Sequence, residues 1–92
     1  MTRETLESIL EKAPGVSRKD GTFGIAAEHR AALYLVAQGH TSLVQDVVSI
    51  RIDGDIVQID TRDHTLHYLP LALIQGFSIR PPRETSSGRT GF

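Results

Sequence analysis

Ile50-Arg51-Ile52-Asp53-Gly54-Asp55-Ile56-Val57-Gln58-Ile59 reads as a β-hairpin whose register follows from its letters, and that reading decides the fold class. An Asp-Gly pair supplies the positive φ angles of a type I′ turn, whose twist matches that of the flanking strands. With Asp53 and Gly54 as the loop, Ile50 lies opposite Val57 and Val48 opposite Ile59, so the apolar residues share one face. Ser49, Arg51, Gln58 and Asp60 take the other. A register changed by one residue sets Ile50 against Gln58 and breaks the segregation.

Downstream, a second reversal placed at Asp63-His64 pairs Thr61 with Leu66 and Ile59 with Tyr68, carrying the apolar face onto a third strand. Histidine is among the few non-glycine residues that tolerate the left-handed region. Pro70 cannot donate to a ladder and closes that strand. Leu71-Ala72-Leu73-Ile74 suits a single helical turn with Gly76 past its end, Phe77-Ser78-Ile79-Arg80 alternates as a last strand, and Pro81-Pro82 ends it. The remaining Ser, Thr, Gly and Arg residues bury too little apolar area to offset ordering. The expected organisation is one domain over 1–80 and a flexible basic tail over 81–92.

Upstream, Arg3 to Ala13 has helical spacing, with Leu6, Ile9 and Leu10 as its stripe, Thr2 as cap and Pro14-Gly15 as stop. Gly15 to Gly24 shows no clear period and reads as a loop with one short extended piece. Ile25 to Gln38 reads as a second helix, with Ile25, His29, Ala32, Leu33 and Val36 in one sector and Gly39 as a left-handed cap. The rival reading makes Leu33-Tyr34-Leu35-Val36 a buried strand. Leu43-Val44 adds a short extended piece before Val47. The fold class is therefore α+β: two N-terminal helices packed on a small antiparallel sheet, or partly open barrel, of three to five strands.

A chain of 92 residues has room for one modest core, which argues against a deep, closed active site. It contains no cysteine, so disulfides and thiolate chemistry are excluded together. Arg3, Glu4, Glu7, Glu11 and Lys12 interrupt any apolar run at the amino terminus, so no signal peptide is expected, and no stretch reaches the roughly 20 apolar residues of a membrane span. No membrane contact is expected, and a cytoplasmic location is the default. Net charge is −1, without the positive field that drives most phosphate-backbone binding. Its distribution is uneven. Asp46, Asp53, Asp55, Asp60 and Asp63 outnumber Arg51 and Arg62 in the predicted sheet, while Arg80, Arg83 and Arg89 outnumber Glu84 after it.

No catalytic constellation emerges. His64 and His67 are three apart, a spacing that puts them on opposite faces of a strand, and neither His29 nor His40 completes a ligand pattern, so no metal is expected. Asp53, Asp55, Asp60 and Asp63 lack the spacing and closing glutamate of a calcium loop, and sit at hairpin ends rather than in a pocket that tunes acid–base groups. Ser42, His40 and Asp46 make a triad only on paper, without a nucleophile turn. No enzyme activity and no cofactor are expected. Arg18, Lys19 and Gly24 form a weak candidate anion site, with Gly24 just before the second helix. Arg80, Arg83 and Arg89 are the weak candidate contacts for nucleic acid or a partner. Phe23, Tyr34, Tyr68 and Phe77 fall where packing uses them, leaving Phe92 as the free aromatic.

The order of a helical start, antiparallel strands, one helical turn and a final strand resembles in outline the Sm-like small barrels. Val48-Ser49-Ile50-Arg51-Ile52 through Val57-Gln58-Ile59-Asp60-Thr61 resembles the opening strands of LytTR-type DNA-binding domains. No functional position is carried over from either. Unpaired sheet edges, protected in part by Pro70, Pro81 and charge, point to a non-catalytic regulatory or assembly module that binds a protein partner or itself through the sheet. A nucleic-acid-binding small β-barrel is the disfavoured alternative, and a small-molecule or anion sensor the second.

Overall fold

At Asp20-Gly21 and again at Gln38-Gly39 both residues take positive φ, 54° and 79° in each pair. That combination is the type I′ turn, and it folds the chain into two hairpins that the glycine-rich and helical readings did not foresee. The structure, a computed structural model, describes residues 1–82. The first turn joins β1 (Val16–Lys19) to β2 (Thr22–Ile25), and the second joins β3 (Arg30–Ala37) to β4 (His40–Gln45). The expected second helix is absent. Its place is taken by the end of β2 and by β3, which pairs with β4 on one side and with the final strand on the other. A strand hydrogen-bonded along both edges, with Ala31 and Leu33 buried, satisfies its backbone as fully as a helix would. The rival reading of Leu33 to Val36 holds as a strand, but Leu33 alone of the four is buried and Tyr34 is exposed.

The described residues contain one α-helix, α1 (Arg3–Lys12), and eight strands in two antiparallel sheets, which replaces the expected two helices on three to five strands. After β4 come β5 (Val47–Asp53), β6 (Ile56–Thr61), β7 (Leu66–Pro70), a 3-10 turn (Leu71–Leu73) and β8 (Ile74–Arg80). One sheet runs β1-β2-β5-β6-β7 and the other β4-β3-β8. The chain changes sheet at Asp46, whose φ of 58° bends β4 into β5, and a strand that bends in this way makes a corner between sheets. The backbone N–H of Arg62 donates to the Asp46 carbonyl at 3.0 Å and holds the corner.

Both sheets and the helix share one core. Phe23, Ile50, Ile52, Val57 and Ile59 come from the first sheet, Ala31, Leu33, Val44 and Ile74 from the second, and Leu6 and Leu10 from α1. The helix forms as its letters dictate. Thr2 caps it by accepting from the Thr5 backbone N–H at 3.2 Å, and Leu6 and Leu10, one turn apart, are wholly buried. α1 touches β1 of one sheet and β8 of the other, so it bridges the two layers. Glu7 and Glu11 receive Arg18 from β1, with the shorter contact at 3.1 Å.

The β5–β6 hairpin keeps the expected apolar face with a displaced loop. Asp53 pairs with Ile56, Ile52 with Val57 and Ile50 with Ile59, so the loop is Gly54-Asp55 rather than Asp53-Gly54. Gly54 at φ 60° is the residue with positive φ, as a type II′ turn requires at its first loop position. A bulge between Val47 and Ser49 pushes Val48 outward, 37% exposed, while Val47 turns into the core. Val48 therefore does not face Ile59.

Candidate interaction surface

The β6–β7 turn controls which side chains of the last strand of its sheet meet solvent. Its loop is Arg62-Asp63-His64, with Thr61 N–H donating to the Thr65 carbonyl at 3.1 Å and His64 N–H to the Thr61 carbonyl at 2.9 Å. His64 occupies the left-handed region at φ 66°, closing a three-residue loop. Asp60 then pairs with Leu66, Ile59 with His67 and Gln58 with Tyr68. The expected pairing of Thr61 with Leu66 and Ile59 with Tyr68 is off by one residue, and one residue inverts the faces. His67 and Leu69 turn inward, while Leu66 and Tyr68 stand outside at 49% and 61% exposure.

Side-chain bonds lock this loop. Thr61 Oγ1 donates to Asp63 Oδ1 at 2.5 Å, and the Thr65 N–H donates to the same oxygen at 3.2 Å. These bonds, the Thr61 hydroxyl foremost, hold the Asp63 carboxyl below the usual carboxylate range. Arg62 reaches back across the molecule and donates from Nη2 to the carbonyls of Ala27 at 2.6 Å and His29 at 3.2 Å. The turn is thus tied to the segment between β2 and β3.

β7 is also an edge strand. Antiparallel partners alternate between pairs that exchange both backbone bonds and pairs that exchange none. Counting from the Thr61 bond to Thr65, His67 and Leu69 spend their N–H and C=O groups on β6, whereas those of Leu66 and Tyr68 point to the open side. Pro70 falls at another open-side position, where its missing N–H costs β6 nothing. The exposed side chains and, among the described residues, the free backbone groups therefore belong to the same two residues. Across the outer face, Tyr68 continues a row through Gln58, Arg51 and Thr22 to Lys19.

The other named residues are dispersed. Arg18 and Lys19 lie on β1 and Gly24 on β2, paired with Ser17 and Ser49, and no helix begins there. Arg18 is engaged by Glu7 and Glu11, with its guanidinium 5.0 Å from the centre of the Phe23 ring. Arg80 ends β8, and Arg83 and Arg89 lie outside the described residues. His64 sits in the turn and His67 faces inward on β7. His40 and Ser42 are exposed on β4, Asp46 is at the corner, and no hydrogen bond joins these three among the described residues. Of the aromatics expected in packing, Phe23 and Phe77 pack with the core, but Tyr34 and Tyr68 are exposed.

The chain matches no family model, no curated protein and no solved structure, so neither of the resemblances in its strand pattern gains support from comparison. No helix among the described residues is long and apolar enough to cross a membrane.

Proposed function

We propose that this protein is a non-catalytic assembly module that joins a second copy of itself through the open edge of β7. The observation that carries the reading is the coincidence of Leu66 and Tyr68 side chains in solvent with unpaired N–H and C=O groups on the same residues. An open strand edge with apolar side chains is a template for another strand, and natural edges normally carry lysine, bulges or cover to prevent this. β7 has Pro70 at one end and no lysine, and among the described residues β6 is the element that packs along it.

An antiparallel two-fold pairing that sets Leu66 of one copy opposite Tyr68 of the other satisfies both residues' free backbone groups and avoids Pro70. The same register lays Leu66 against the partner's tyrosine ring on the outer face, a cross-strand apolar–aromatic contact. Light scattering coupled to size-exclusion chromatography tests this over the micromolar range. The wild type is expected as a dimer, and Leu66→Lys as a folded monomer with unchanged circular dichroism. A wild type that stays monomeric, or a Leu66→Lys variant that still pairs, overturns the reading.

A further inference from the structure

The second sheet carries an unrelated feature on its outer face. Register places Arg30 of β3 directly opposite Arg80 of β8, and like charges in that position destabilise a sheet. Among the described residues neither guanidinium has a carboxylate partner, since the ion pairs present use Arg3 and Arg18. Going along the same face, the next row is Gln45, Ala32 and Ser78, and the one after it Leu43, Tyr34 and Gly76. Small side chains at Ala32 and Ser78 leave a trough, with the arginine pair at one end and the exposed Tyr34 ring at the other. Gly76 leaves the strand beside that ring bare, where a Cβ would make only ordinary contact with Tyr34 Cδ1 at 4.0 Å. Asp46 also borders the trough, at the corner beyond Gln45, and no cation among the described residues pairs with it.

We infer that this trough binds a nucleoside phosphate, free or within a single-stranded nucleic acid, with the phosphate between Arg30 and Arg80 and the base on Tyr34. An anion between the guanidiniums turns their repulsion into two charge-assisted contacts. Arg30 and Tyr34 are four residues apart on one strand, about 13 Å between backbone positions, a gap that the flexible arginine arm shortens towards the ring. An exposed tyrosine beside a cationic cradle is the sequence-tolerant way in which single strands are held. The trough is on the opposite sheet from β7, so it is independent of the proposed dimer.

The test is fluorescence anisotropy with a labelled oligodeoxythymidine, with thymidine monophosphate as competitor and the Leu66→Lys variant as a monomeric control. Salt-dependent binding is expected, with log K falling against log salt at a slope of about −0.7 for the one phosphate held, and each of Arg30→Gln and Arg80→Gln should bind more weakly than wild type at every salt concentration. Tyr34→Ala should weaken binding roughly tenfold or more. Competition by the monophosphate at equal nucleotide concentration assigns the site to free nucleotides, and failure to compete assigns it to strands. Without ligand, Arg80→Gln should melt no lower than wild type, which separates lost binding from lost folding. No binding of either probe, or binding that survives the double Arg30→Gln, Arg80→Gln substitution, overturns the inference. Loss of oligonucleotide binding in Leu66→Lys would overturn its independence from the β7 edge.

Discussion

The hairpins β5–β6 and β6–β7 share a strand and differ by one loop residue. Gly54-Asp55 is a two-residue loop, Arg62-Asp63-His64 a three-residue one. The first sets Ile50 and Ile52 against Ile59 and Val57, all buried, whereas the second sets His67 against Ile59 and sends Leu66 and Tyr68 outside. Side chains alternate with period 2, so the number of loop residues, odd or even, selects the face that the returning strand buries. The shared strand is therefore core-building towards β5 and surface-building towards β7.

The largest effect that can break this contrast comes from truncating one residue on each side of it. Ile59→Ala removes a wholly buried side chain and should cost about 2–5 kcal/mol. Tyr68→Ala removes a larger side chain from an exposed position and should cost less than about 1 kcal/mol. Urea denaturation in the Leu66→Lys background keeps self-association out of the measurement. If Tyr68→Ala costs as much as Ile59→Ala, β7 is in the other register and the exposed edge disappears.

The same arithmetic explains what the letters disclosed. Sliding the two-residue loop from Asp53-Gly54 to Gly54-Asp55 moves partners by two positions, which preserves every face, so the buried set Ile50, Ile52, Val57 and Ile59 is legible despite the wrong loop. Adding one residue at Arg62 has no such tolerance. Leu66-His67-Tyr68-Leu69 offers two apolar residues on one parity and one on the other, so pattern alone favours burying Leu66 and Tyr68. The locked turn overrules the pattern, and the candidate surface at β7 was hidden for that reason. Asp20-Gly21 and Gln38-Gly39 carried a legible turn signal, but β1 is mostly exposed and alternates weakly, and β3 holds the continuous run Leu33-Tyr34-Leu35-Val36 that suits either element. α1 was legible throughout, because Thr2 and the Leu6/Leu10 spacing are local signals. The Arg30–Arg80 pair required the β3–β8 register, which no local pattern encodes.

A smaller effect sharpens the contrast at the turns themselves. Gly54 at φ 60° is open to solvent, so Gly54→Ala meets no clash and its cost is conformational, about 1–2 kcal/mol. His64 sits at φ 66° with a Cβ already in place. His64→Gly relieves that strain and loses part of the gain to unfolded-state freedom, for a net stabilisation of about 0.5 kcal/mol. Opposite signs from thermal or urea unfolding show that both loops hold these residues at positive φ, where glycine is favoured. Equal signs contradict the assigned backbone conformations.

The smallest effect concerns the charge that fastens the three-residue loop. Bonds from the Thr61 hydroxyl and the Thr65 N–H hold Asp63 below its ordinary value of 3.8 in the folded state. As pH falls, the unfolded chain therefore takes up this proton first, so the contribution of Asp63 is complete above the ordinary carboxylate value and disappears as pH drops through the lowered one. Asp63→Asn removes the titration while preserving the shape of the side chain. Urea midpoints of wild type and Asp63→Asn, measured from about pH 6 down to about pH 2, should differ most at the top of the range and converge at the bottom. The exposed carboxylate makes this a modest gap. A gap that stays constant with pH means that shape, rather than the charge on Asp63, holds the loop at the length that turns Tyr68 outward.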